Sequence, residues 1–90
     1  MLSDTAKSHA ALCQLAAHGF TFSVRSEGEL MQARTNNIDK VVNACLDVEE
    51  GVVRVWQDTG EEKPERVGFI YFVTDCTGLV FVDCSASLPI

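Results

Sequence analysis

The chain has 90 residues, enough for one domain with a small core, and an active-site cavity would take volume that this core can barely spare. Hydrophobic residues make up 47% and charged residues 22%, and no apolar run approaches the roughly 20 residues of a membrane helix, so a folded domain without membrane contact is expected. The net charge of −6 argues against direct binding to nucleic acid, because phosphates call for lysine and arginine.

Residues 4–18 predict a helix rich in alanine, leucine and glutamine. Ser3 or Asp4 can cap its start, and Gly19 can end it. Ala6, Ala10, Cys13 and Ala17 form one stripe, which Leu12, Leu15 and Ala16 widen. The opening run MLSDTAKSHAALCQLAAHGF lacks a charged lead and an unbroken apolar block. A signal peptide is therefore not expected, and a cytoplasmic location is.

FTFSVR alternates as a half-buried strand does, with Phe20, Phe22 and Val24 on one side and Thr21, Ser23 and Arg25 on the other. SEGE supplies a turn, and LMQAR returns as a second strand. In TNNIDKVVNACLDVE, Ile38, Val41, Val42, Cys45 and Leu46 fall on one helical stripe. Thr35, Asn36 or Asn37 can cap that helix. VVRVWQD, RVGFIYFVT and GLVFVD read as three more strands. Alternation sets Arg54 and Trp56 against Val53 and Val55, and Phe69, Tyr71 and Val73 against Ile70 and Phe72. The segment from residue 84 to 90 is expected to be a loosely held tail.

The order α-β-β-α-β-β-β gives an α+β fold in one domain, residues 1–90. It is expected as a two-layer sandwich, a five-stranded mainly antiparallel sheet with two helices on one face. The late strands are apolar on both sides, so the uncovered face is expected to meet a partner or a second copy, as a homodimer would.

Signatures of chemistry are sparse. His9 and Cys13, four apart on a helix, can point at one ion, and Cys76 and Cys84 flank a hairpin. No C-x-x-C or H-x-x-x-H pair reinforces them, so no metal site is expected. The four cysteines, at 13, 45, 76 and 84, are read as free thiols acting as small hydrophobes. His18 has no local signature that pairs it with a thiol nucleophile. Glu61 and Glu62 sit in a loop with no evident pocket to perturb them. There is no phosphate-binding glycine loop. No catalytic residue, no cofactor and no enzymatic activity are expected.

Charge is the remaining signal. From Asp47 to Glu65 seven acids stand against Arg54 and Lys63, so this segment carries −5 of the total −6. Asp47, Glu49 and Glu50 precede the tryptophan-bearing strand, and Asp58, Glu61, Glu62 and Glu65 follow it. With Trp56 and Tyr71 as aromatic anchors, these residues make a candidate partner-binding surface for a protein with a basic face. The run NNIDKVVNACLDVEEGVVRVWQDTGEEKPERVGFIYFV, and with it about residues 36–83, resembles small acidic accessory proteins of phages, plasmids and other mobile elements. That resemblance implies an anti-CRISPR or other anti-defence inhibitor that blocks a larger nucleoprotein machine. It carries over no functional residue. An immunity protein or antitoxin, and a dimeric small-molecule-binding or enzymatic α+β domain, stand as alternatives.

Overall fold

The computed structural model describes residues 4–57, 64–75, 78–85 and 88. Helix α1 spans Asp4–Ala17, strands β1 and β2 span Phe20–Ser26 and Glu29–Thr35, and helix α2 spans Ile38–Leu46. Strands β3, β4 and β5 follow at Glu50–Gln57, Glu65–Asp75 and Gly78–Cys84. The α+β order read from the sequence is the one observed. The five strands form one sheet in the order β2-β1-β3-β4-β5, and every neighbouring pair is antiparallel.

Local chemistry explains the element ends. The β1–β2 turn has Glu27 at φ 52° and Gly28 at φ 82°. Two consecutive positive φ values match the right-handed twist of a two-residue hairpin, and glycine takes the second without steric cost. Asn37 caps α2: its side-chain oxygen accepts the Lys40 N–H at 3.3 Å, while its own N–H donates to Thr35 Oγ1 at 3.1 Å. Helix α1 ends as expected, with Gly19 at φ 88° and its N–H on the Ala16 carbonyl. The expected cap at Ser3 lies outside the described residues.

Both helices pack on one face of the sheet. That face presents Phe22 and Val24 from β1, Val53 and Val55 from β3, and Ile70 and Phe72 from β4, all buried. Leu12 and Leu15 of α1 and Val41, Val42 and Cys45 of α2 close over them. The buried stripe of α1 is Ser8, Leu12 and Leu15; Ala10, Cys13 and Ala17 are exposed. The expected alanine-centred stripe is therefore rotated. Two leucines bury more apolar area than several alanines, and burial scales with area. Ser8 is admitted to the core because its hydroxyl donates to the Leu79 carbonyl at 2.9 Å. Leu46, expected in the stripe of α2, is 44% exposed at its end.

The C-terminal segment differs from the expected loose tail at its described residues. The Ser85 N–H donates to the Phe69 carbonyl at 3.0 Å, and Leu88 is buried in the core. Gly68 makes the room. A Cβ at that position would meet the Leu88 side chain at 2.7 Å. Leu88 thus fills the hollow left where β4 has no side chain.

Candidate functional site

The second face of the sheet carries no helix. On β1 and β3 it presents Thr21, Ser23 and Arg25 beside Val52, Arg54 and Trp56, in register: Ser23 faces Arg54 and Thr21 faces Trp56. On β4 it presents Phe69 opposite Arg54 and Tyr71 opposite Val52. Phe69 and Tyr71 meet edge to face with ring centroids 5.0 Å apart, and they remain 36% and 47% exposed. Two large aromatic rings on one face, half in water, are the apolar centre of this surface.

Trp56 lies against the sheet. Its indole N–H donates to Ser23 Oγ at 2.9 Å, and Ser23 is itself buried. Trp56→Phe is expected to lower stability by about 1 kcal/mol, because the Ser23 hydroxyl loses its partner in a site poor in water. Urea denaturation of the single variant, with the Ser23→Ala, Trp56→Phe pair for comparison, measures it. The pair should recover part of the loss.

A β-bulge adds the main feature that the sequence reading missed. Trp56 is opposite Arg66, while its neighbour Val55 is opposite Gly68, so Val67 is an extra residue on β4. Strict alternation back from Phe69 would turn Arg66 toward the helices. The extra residue turns it to the open face instead, beside Trp56. Arg25, Arg54 and Arg66 then line one shallow concavity of about 550 Å³, walled by Val52, Phe69 and Tyr71. Arg34, the fourth arginine of the chain, borders an adjoining hollow with Trp56 and Leu30, and its guanidinium lies 3.4 Å from Thr21 Oγ1. A chain of net charge −6 thus gathers its arginines on one face of its sheet.

The described acids of the expected surface stand at the two ends of β3, on the sides to which their order in the sequence assigns them. Asp47, Glu49 and Glu50 are exposed at the start of β3, and Glu65 is exposed across from its end. The two ends of β3 are roughly 24 Å apart at the rise of an extended strand. The acids are therefore rims at opposite ends, with Trp56 and Tyr71 between them on the same face. The expectation for Asp58, Glu61 and Glu62 falls on residues outside those described.

The helix layer holds a second constellation. Cys13 Sγ is 3.5 Å from His9 Nδ1, and His9 Nε2 is 3.3 Å from Asp39 Oδ1. A thiol, a base and an orienting carboxylate are thus in line. Both Cys13 and Asp39 are exposed, and none of the concavities described above touches them. The thiols differ from the expected uniform role as small hydrophobes: Cys45 is buried in the core, but Cys13 and Cys84 are exposed. Burial pushes the Cys45 thiol up to about 12. Cys76 is outside the described residues. Among the described residues no three His, Cys, Asp or Glu side chains converge as a metal site requires, and no helix is long and apolar enough to cross a membrane.

No family model, no curated protein and no solved structure matches this chain.

Proposed function

We propose that the chain is a small, non-enzymatic binding module that docks onto a larger protein through the open face of its sheet. The observation that carries this reading is the asymmetry of the sheet. Both helices cover one face, while the other leaves Phe69, Tyr71, Trp56, Arg25, Arg54 and Arg66 on a single surface. Tryptophan, tyrosine and arginine are the residue types that anchor protein interfaces, because each combines a large contact area with a polar handle. The sharpest form of the reading is an inhibitor carried by a mobile element, acting by occlusion in the cytoplasm.

Tyr71→Asp puts a charge at the centre of that surface without touching the core. Capture of the stoichiometric partner by tagged protein should fall by at least about tenfold, as loss of an interface anchor does. Far-ultraviolet circular dichroism should stay unchanged. Capture that survives both Tyr71→Asp and Phe69→Asp would reject the face as the docking surface. A small molecule retained by the purified chain at Trp56 would favour the ligand-binding alternative instead.

A second reading is favoured by the charge at the two rims. Asp47, Glu49 and Glu50 at one end and Glu65 at the other can straddle a basic, nucleic-acid-binding surface of the partner. Reversal of Glu49, Glu50 and Glu65 together would then weaken binding and flatten its dependence on salt. Equal affinity after the triple reversal would remove the rims from the account.

A further inference from the structure

We infer that the centre of the open face recognises an extended acidic segment of the partner, with carboxylates at alternate residues. The inference rests on the reading of that face as the docking surface, and it names the chemistry docked there.

The argument begins with register. Arg25 is opposite Val52 on β3, Arg54 is two residues further along β3, and Arg66 is opposite Trp56, two residues beyond that. The three arginines therefore run as a diagonal across β1, β3 and β4. Diagonal neighbours on adjacent antiparallel strands are about 7–8 Å apart. An extended peptide repeats its side chains on one side every two residues, about 6.8 Å. The two spacings match closely enough for an acid-x-acid-x-acid segment laid along the diagonal to bring one carboxylate to each guanidinium.

The charge balance supports the same occupant. Among the described residues the ion pair is His9 with Asp39, and none of these three arginines is paired with a described carboxylate. Three like charges around one concavity repel one another, and among the described residues the one carboxylate that lines it is Glu27, at its end. An incoming carboxylate relieves that repulsion. The guanidinium fork donates two parallel hydrogen bonds to its oxygens. Phe69 and Tyr71 wall the concavity and displace water from those bonds.

The geometry favours a peptide over a nucleic acid strand. Glu27 lines one end of the concavity. Glu50 and Asp83 stand at the same end, as the partners of Val73 and Tyr71. A continuous phosphate backbone would run into these acids, whereas a peptide can present neutral or basic residues there. Trp56, held to Ser23 by its N–H, is not free to stand up as a platform for a base.

The test uses fluorescent probes and anisotropy at low and high salt. The probes are a peptide of alternating glutamate and threonine, one of alternating lysine and threonine, and a short oligothymidylate. The alternating acidic peptide should bind, and more weakly as salt rises. Arg54→Glu should weaken it by about tenfold or more, Arg54→Lys by less, and Lys40→Glu on α2 hardly at all. Tighter binding of oligothymidylate or of the basic peptide would overturn the inference, as would an equal loss from Lys40→Glu. The docking reading is tested separately by partner capture. If Arg54→Glu spares capture while Tyr71→Asp abolishes it, the acidic segment is wrong and the face is right. If both variants capture normally, both fail.

Discussion

Phe72→Ala is expected to lower the unfolding free energy by about 3–5 kcal/mol, the range for deleting a large buried ring. Phe72 is 1% exposed and sits in the middle strand of the β3-β4-β5 meander. It lies opposite Gly51 on one side and Phe81 on the other. The missing ring would leave a hole in the core between the sheet and the helices, and the closely packed strands on either side cannot collapse to fill it. A domain of this length has about 5–13 kcal/mol in total. The variant should therefore lose a large share of its stability, and chemical denaturation should show the midpoint falling with an unchanged slope. A loss under about 1 kcal/mol would mean that the core repacks around the gap, against the tight packing seen at Phe22, Val53 and Ile70. Phe69→Ala, on the open face, is the matched control. It should cost far less, because that ring is already partly in water.

The second large effect is with pH. Cys45 is on the buried face of α2, and desolvation raises its thiol from 9.0 to about 12. The sign follows from linkage. Below pH 9 the thiol is protonated in both folded and unfolded chains and contributes no pH dependence. Between 9 and 12 the unfolded chain loses the proton while the folded chain keeps it, so stability falls as pH rises. Three units at about 1.4 kcal/mol each give a loss of up to about 4 kcal/mol by pH 12. Tyrosine and lysine also titrate in this range, so the measurement is a comparison. Urea midpoints of the native chain should drop more steeply between pH 8.5 and 11 than those of Cys45→Ala, roughly in the proportion set by that one thiol. Parallel slopes would show that the buried thiol is not the alkaline trigger.

Much of this architecture was legible from local pattern. Alternation in FTFSVR, VVRVWQ and FIYFV sorted the residues of each strand into two sides, because a strand's side chains must alternate whatever lies beside it, but it did not say which side the helices cover. The helical spacing of Ile38, Val41, Val42 and Cys45 marked the right face of α2, except at its exposed end. What failed depended on information that is not local. The stripe of α1 was centred on alanines, whereas packing is decided by the bulk of Leu12 and Leu15. The acids at the two ends of β3 were legible as charge, but the distance between them needed the strand itself. Arg66 was missed because one extra residue at Val67 reverses its direction, and no periodicity announces a bulge. The diagonal of arginines required β1 to lie beside β3, across α2, which sequence order does not state.

The contacts of Leu79 have a consequence for how the chain is made. Thr5 Oγ1 accepts the Leu79 N–H at 2.9 Å, and Ser8 Oγ donates to the Leu79 carbonyl. The first helix is thus fastened to the last strand. During synthesis α1 emerges before the sheet it packs on, yet its docking site is incomplete until β5 has left the ribosome. Leu12 and Leu15 must wait while the strands that follow are made, with no finished core to cover them. That interval is when such a chain is most exposed to chaperones and to misassembly.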